Sequence, residues 1–253
     1  MTTGPFNLSG KRALVTGART GLGQGLALAL ASAGADIIGL GSQAMPETRG
    51  KVEALGRQFD EVVYDLKDPS GISEMFAGLV AGGATVDILV NNAGQIRRSD
   101  FIDFTEEDWD DVLNINLKSA FVLSQAVVRH MLERGIRGRI VNIASLLSFQ
   151  GGIRVASYTA SKHGVAGLTK LMANELAAKG ITVNAVAPGY MATDNTEALR
   201  NDPDRHRAIL ERIPCGRWGE PTDLDTAVLF FASPASGYVT GQVLAVDGGW
   251  LAR

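Results

Sequence analysis

A chain of 253 residues is long enough for one large α/β domain with a sizeable core. Its 45% apolar content excludes a disordered polymer, and a formal charge of −3 argues against a nucleic-acid binder held by phosphate contacts. One cysteine, Cys215, excludes an internal disulfide, no apolar run approaches the ~18 residues of a membrane helix, and no apolar leader opens the chain, so a cytoplasmic protein is expected. Glycine stands out: 30 residues, about twice the usual ~7% share, without a triplet period and mostly at the edges of apolar runs.

In chain order, short β-type runs alternate with longer helical patterns. Strands are expected at Arg12–Thr16, Asp36–Leu40, Glu61–Tyr64, Val86–Val90, Arg139–Ala144, Thr182–Ala187 and Gln242–Val246. Helical patterns fall at Leu22–Ala33, near Glu47–Arg57 and Pro69–Ala81, and over Glu106–Arg134, Ala156–Ala178 and Pro221–Ala232. The strand runs read as apolar throughout, the pattern of a sheet covered by helices on both faces. Repeated βα alternation then implies a Rossmann-type α/β fold, a doubly wound parallel sheet of about seven strands in a single domain. Gly189–Gly219 is the longest insertion; charged and weakly apolar, it is a candidate substrate-binding lid.

Directly after the first strand comes Thr16-Gly17-Ala18-Arg19-Thr20-Gly21-Leu22-Gly23, which opens a helix. In a doubly wound sheet this turn is where a pyrophosphate meets a helix N-terminus. Gly17 suits the tight turn, Gly21 the approach of backbone to phosphate, and Gly23 close helix–strand packing. Glycines alone would fit any βα turn; the strand before and the helix after point to a dinucleotide.

The spacing of these glycines resembles that of the short-chain dehydrogenase/reductase family, and further motifs follow in the family's order. Asp65-Leu66 follows the third strand and resembles the adenine-contacting segment. Asn91-Asn92-Ala93-Gly94 follows the fourth and resembles the turn that lines the cofactor ribose. Pro188-Gly189, Met191 and Thr193 resemble the segment that meets the nicotinamide carboxamide. The resemblance implies NAD or NADP as cofactor. A carboxylate about 20 residues beyond the glycines would bind ribose hydroxyls and repel a 2′-phosphate; here Gly41-Ser42 stands in its place, Arg19 lies in the loop, and Thr20 holds a position often basic in NADP users. NAD is the expected cofactor, with NADP left open.

Tyr158 and Lys162 are four residues apart, on one face of a helix. For a phenol of pKa ~10 to act as a base near pH 7, its pKa must fall by roughly 3 units, and a cation at ~4 Å supplies an interaction of that order. By spacing alone a helix surface pair is the commoner reading, and the context of the other motifs reverses it. Ser145 follows the strand RIVNIA and, taken alone, could be a turn or cap residue, just as Asn116 could merely bond helical backbone. The resemblance makes Asn116, Ser145, Tyr158 and Lys162 a catalytic set for reversible hydride transfer. In that reading Tyr158 is the acid/base, Lys162 its charged partner, Ser145 the group that orients the substrate oxygen, and Asn116 a proton relay.

Arg97, Arg98 and Arg154 fall on loops at the carboxyl edge of the sheet, where an arginine fork could hold an anionic substrate, although each could also be a solvated surface charge. Gln150 and Tyr190 could add contacts. His130, His163 and His206 lack metal-ligand spacing, so no metal site is expected, and Cys215 reads as structural. The wording of Gly94–Arg98, Ser148–Arg154, Gly189–Thr196 and Asp247–Arg253 is similar to the deoxygluconate dehydrogenases of the family. That similarity implies NAD(H)-linked interconversion of a secondary alcohol and ketone on a deoxy sugar acid. The family also implies a homotetramer. An NADPH-dependent 3-oxoacyl-(acyl-carrier-protein) reductase is the nearest alternative, and a catalytically silent dinucleotide sensor is one of another class.

Overall fold

The computed structural model describes residues 4–253. Seven parallel strands, β1 (Arg12–Thr16), β2 (Asp36–Gly41), β3 (Phe59–Val63), β4 (Ile88–Asn91), β5 (Arg139–Ile143), β6 (Thr182–Pro188) and β7 (Val243–Val246), form one sheet in the order β3-β2-β1-β4-β5-β6-β7. The helices are α1 (Gly21–Ser32), α2 (Pro46–Ala54), α3 (Ile72–Ala81), α4 (Glu106–Leu113), α5 (Ser119–Glu133), α6 (Ala156–Leu176), α7 (Glu197–Asn201), α8 (Pro203–Leu210) and α9 (Asp225–Ala232). This is the expected doubly wound Rossmann-type sheet.

Continuous apolar runs make strands here because both sheet faces are covered. Successive side chains point to opposite faces, so Val15 and Ile37 enter one core with Leu26, Leu30 and Phe231, while Leu14 and Ile38 enter the other with Leu123, Val127 and Met131. The two edge strands depart from the all-apolar expectation. β3 carries Asp60 and Glu61, which pair with Arg12 and Arg49, and leaves Val63 exposed; β7 leaves Leu244 exposed. An edge strand faces a neighbour on one side only, so its outer positions need not be apolar.

Two more expectations are corrected. The long helix expected over Glu106–Arg134 runs through without a gap but widens into a π-turn at Asn114–Lys118, which includes Asn116. The 189–219 insertion is charged yet has its own apolar centre, where Ile209, Ile213 and Trp218 meet Leu146 and Trp250. Within it, α8 starts from Asp202, whose carboxylate accepts from the N–H groups of Asp204 and Arg205, with Pro203 in the first turn. Cys215 is exposed, so it is not a core residue.

His130 is buried in α5, with its Nε2 accepting from Val86 N–H at 3.3 Å and its ring edge-on to Phe76 at 5.9 Å. Burial holds its pKa below the ordinary value. Below about pH 6.5 the unfolded chain therefore binds a proton that the folded chain resists, and stability falls as pH falls. His130→Gln, which does not titrate, should flatten the slope of Tm against pH in that acid range; thermal melts of both proteins check it.

Candidate active site

The strand order reverses between β1 and β4, so their carboxyl ends part and open a crevice. Its floor is a reciprocal clamp. Thr16 Oγ1 accepts from the N–H groups of Asn92 and Ala93, both at 2.9 Å, and Asn92 Nδ2 donates to Thr16 O at 2.9 Å. A Cβ at Gly23 would collide with Gly17 O and Asn92, so only glycine lets α1 start this close to the clamp. Gly21, at φ +57°, opens α1 with free space on the side where a Cβ would stand. No acidic residue lies in the first turn of α1, and Thr20 makes no side-chain cap, so the helix N-terminus offers its backbone donors to an anion. This cradle fits a dinucleotide pyrophosphate.

A cavity of about 350 Å³ runs from the cradle across the crevice. Gly17, Thr20, Leu22, Asn92, Ala93 and Gly94 line one end. Tyr158, Lys162, Pro188, Gly189, Met191, Thr193 and Arg98 line the other, so the crevice gathers most of the expected cofactor residues. Gln95, Ile96, Asp194 and Thr196 join them without having been read from the sequence. Thr196 had a legible signal: Thr193 and Thr196 stand three apart before a helical pattern and cap each other.

At the other end of the cavity, α6 places Tyr158 and Lys162 one turn apart. Lys162 is buried, its Nζ donates to Ile143 O at 2.7 Å, and burial pushes its pKa down to about 8. Burial pushes the Tyr158 phenol up, while a hydrogen bond with the Ser145 side chain and the charge of Arg98 pull it down. This modifies the expected electrostatics. Lys162 Nζ lies 5.5 Å from the Tyr158 ring centroid and donates to a β5 carbonyl, and the charge of Arg98 acts on the phenol as well. Ser145 follows the end of β5, and its Oγ accepts from Leu147 N–H at 3.2 Å. Asn116 lies beneath the cavity. Its Oδ1 accepts from Gln95 N–H at 2.8 Å, and its Nδ2 donates to Gln95 O at 3.0 Å and Ser161 Oγ at 3.2 Å.

The other expected residues divide. Gly41, Ser42, Asp65 and Leu66 sit at the carboxyl ends of β2 and β3, outside the cavity lining; Leu66 is buried and Asp65 Oδ1 accepts from Lys67 N–H. A Cβ at Gly41 would meet nothing closer than Met45 Sδ at 3.7 Å, so the backbone there leaves room for a side chain to begin. Arg19 is exposed beside the cradle. The three-arginine rim is corrected to one. Arg97 binds Asp108 at 3.0 Å and Asp111 at 3.6 Å, Arg154 binds Asp100 at 2.9 Å, and only Arg98 lines the cavity. Arg154 also has φ +64°, fixed in part by its carbonyl accepting from Ser99 N–H. Gln150 lies in the loop after β5, outside the lining, and Tyr190 sits in the 189–219 insertion against Trp218 and Trp250. Among the described residues no cluster of His, Cys, Asp and Glu could hold a metal, and no helix is long and apolar enough to cross a membrane.

A family profile described as enoyl-(acyl carrier protein) reductase matches residues 17–251. The chain is 57% identical over 253 residues to the 2-dehydro-3-deoxy-D-gluconate 5-dehydrogenase of Escherichia coli K12, covering 100% of both. It is also 57% identical to that of Bacillus subtilis 168, over 98% of this chain and 97% of the relative. Among solved structures, an Agrobacterium tumefaciens chain assigned as a 2-deoxy-D-gluconate 3-dehydrogenase, with bound NADP, matches at TM-score 0.93 and 54% identity over 99% of this chain and 100% of that one. A Burkholderia cenocepacia gluconate 5-dehydrogenase, in complex with NADP and tartrate, matches at TM-score 0.93 and 38% identity over 98% of each. The chain belongs to the short-chain dehydrogenase/reductase family.

Holding the Lys162 ammonium in this buried place costs stability at neutral pH, because its pKa lies below the ordinary 10.5. The cost is on the order of 3 kcal/mol, less about 1 kcal/mol for the hydrogen bond to Ile143. Lys162→Met should therefore match or exceed the wild-type Tm at pH 7 while losing turnover. The wild-type disadvantage should shrink as pH rises from about 8 towards 10.5, where the folded chain has already released the proton.

Proposed function

We propose that this chain is an NAD(P)-dependent dehydrogenase that interconverts a secondary alcohol and a ketone on a deoxy sugar acid. The substrate is of the 2-dehydro-3-deoxy-D-gluconate or 2-deoxy-D-gluconate type. The observation that carries this is full-length identity of 57% to the Escherichia coli 2-dehydro-3-deoxy-D-gluconate 5-dehydrogenase, joined to an arginine, Arg98, lining the cavity beside Tyr158. The tartrate in the Burkholderia cenocepacia relative is likewise a hydroxy acid.

When bound, the nicotinamide group supplies or accepts the hydride. Tyr158 exchanges the proton of the substrate oxygen: it takes it during oxidation and returns it during reduction. Ser145, hydrogen-bonded to the phenol, holds that same oxygen at the end of β5. Lys162 and Arg98 put positive potential around the phenol, which favours its ionised form against burial. Asn116 fixes the Gln95 backbone beside the cavity and bonds Ser161 on α6, which supports its reading as a member of the proton path. The 189–219 segment closes over the substrate as a lid.

Gly41 in place of a carboxylate, with Arg19 exposed beside the phosphate cradle, leaves the adenosine end open to a 2′-phosphate. We therefore infer use of NADP as well as NAD. Absorbance of the reduced cofactor, followed with NAD and NADP against deoxy sugar acids, neutral sugars and a 3-oxoacyl thioester, tests the assignment. Turnover on the sugar acids with both cofactors is expected. Turnover on the thioester alone would overturn the substrate, and strict rejection of NADP would overturn the cofactor reading. Tyr158→Phe should keep cofactor affinity and lose roughly 10²–10⁴-fold in kcat.

A homotetramer in the cytoplasm completes the proposal. The long helices α5 and α6 each leave a large apolar side chain exposed, Phe121 and Leu171, on faces that the monomer does not cover. Light scattering should give four times the chain mass, and a monomeric mass would exclude the assembly.

A further inference from the structure

The glycine loop that opens the phosphate cradle is tied from outside by α2. Thr48, in the first turn of that helix, is fully buried and does not line the crevice cavity. Its hydroxyl donates to Ala18 O at 2.8 Å, with Arg19 O at 3.2 Å. Gln24, on α1, donates through Nε2 to Arg19 O at 3.2 Å and to Thr48 Oγ1 at 3.0 Å. One hydroxyl and one amide thus serve both loop oxygens, and Lys51 holds the amide in turn by donating to Gln24 Oε1 at 2.9 Å.

α2 is itself anchored. Met45, Thr48 and Val52 are three and four residues apart, so they share one face, and all three are buried. Met45 and Val52 belong to the same core as Ala18, and the Met45 N–H donates to the Glu61 carboxylate on β3. The hydroxyl therefore reaches the loop from a fixed support. In a trans peptide the N–H lies opposite the C=O. With the oxygens of Ala18 and Arg19 held against α2, the N–H groups of Arg19 and Thr20 point away from it. Thr20, Gly21, Leu22 and Gly23, which line the cavity, follow at once. If either peptide turned over, a carbonyl oxygen would stand where an N–H stands now. The first turn of α1 attracts an anion through its free N–H groups, and an oxygen turned that way would oppose the attraction.

We propose that Thr48 is a positioning residue for the cofactor pyrophosphate: together with Gln24 it keeps the carbonyl oxygens of the glycine loop turned away from the cradle. This rests on the reading of the cradle as a dinucleotide site. Pyrophosphate is common to NAD and NADP, so Thr48 supports both alike, whereas a residue that reads the ribose would separate them. Serine could do the same. Valine, of nearly the same shape, could not, because it has no hydrogen for Ala18 O and no oxygen for Gln24.

The test titrates full-length protein with NADH and with NADPH by fluorescence, for wild type, Thr48→Val, Thr48→Ser, Gln24→Met and Ser236→Ala, each with its Tm. Ser236 is the control: a buried hydroxyl outside the cavity lining that bonds the carbonyls of Phe231 and Ser233. Thr48→Val should raise Kd for both cofactors by the same factor, roughly tenfold, the scale of one buried carbonyl left unpaired. Thr48→Ser should return Kd to within about threefold of wild type. Gln24→Met, at a half-buried position, should raise both Kd values by roughly threefold, and it decides the matter if Thr48→Val does not fold. Ser236→Ala should lower Tm and leave both Kd values unchanged. In turnover, Thr48→Val should raise KM for the cofactor, while kcat at saturating cofactor does not fall. A loss confined to NADPH would put the effect at the 2′-phosphate, and no recovery with serine would show that the hydroxyl is not what acts. An equal loss in Ser236→Ala would reduce the effect to general stability. Each of these overturns the proposal, as does Thr48→Val within about twofold of wild type for both cofactors. A wild type that binds neither cofactor removes the cradle reading itself, and the proposal with it.

Discussion

The clamp between Thr16 and Asn92 is the contact on which the site depends. β1 and β4 are neighbours in the sheet, yet the chain leaves them in opposite directions, and without a tie their ends would be free to splay. One hydroxyl accepting two backbone N–H groups and one amide returning to the same residue's carbonyl fix that gap. The crevice keeps its width because five polar groups satisfy one another within it, and leaving any of them unpaired would cost more than the bond itself contributes. The phosphate cradle is built directly on this tie: the Gly23 backbone can press against Gly17 because neither carries a side chain.

A second buried network carries the same precision to the reacting groups. Asn91, at the end of β4, donates to Asn142 on β5 at 2.8 Å and to Ser124 on α5 at 2.9 Å; Asn142 in turn donates to Thr169 on α6 at 2.8 Å. Three side chains thus set α6 against the sheet, and α6 carries Tyr158 and Lys162. Lys162 completes the connection from the other end by donating to the last β5 residue, Ile143. A buried ammonium is a poor way to stabilise a fold and a good way to keep positive potential beside a phenol. The charge is held here by one carbonyl and no carboxylate, which leaves its field uncancelled by an anion of the protein.

Much of this was legible in the chain because it is local. Apolar runs covered on both faces, glycines between a strand and a helix, and the Tyr158–Lys162 spacing are each contained in a few consecutive residues. What escaped depends on partners distant in sequence. The π-turn at Asn114–Lys118 surrounds Asn116, whose amide is bound to Gln95, 21 residues away, and nothing in the helical period announces that. Arg97 and Arg154 look like Arg98 in sequence; only the fold shows that Asp108, Asp111 and Asp100 hold the first two outside the cavity that Arg98 lines. The edge strands were misread for a related reason, since a strand's place in the order is not written in its own residues.

The lid shows how a charged, weakly apolar segment can still be ordered. Its apolar centre is assembled from three regions: Leu146 beyond β5, the insertion's own Ile209, Ile213 and Trp218, and Trp250 near the C-terminus. The Asp247 carboxylate accepts from the N–H groups of Gly249 and Leu251, which turns the chain back so that the Trp250 ring lies against Tyr190. The last residues therefore serve as the underside of the lid, and Arg253 ties them to it by donating to the carbonyls of Glu211 and Arg212. This cluster is separate from the two sheet cores, so the insertion is packed by contacts of its own. The crevice is held by hydrogen bonds and the 189–219 insertion by its own aromatic packing, so two independent sets of contacts order the two sides of the cavity.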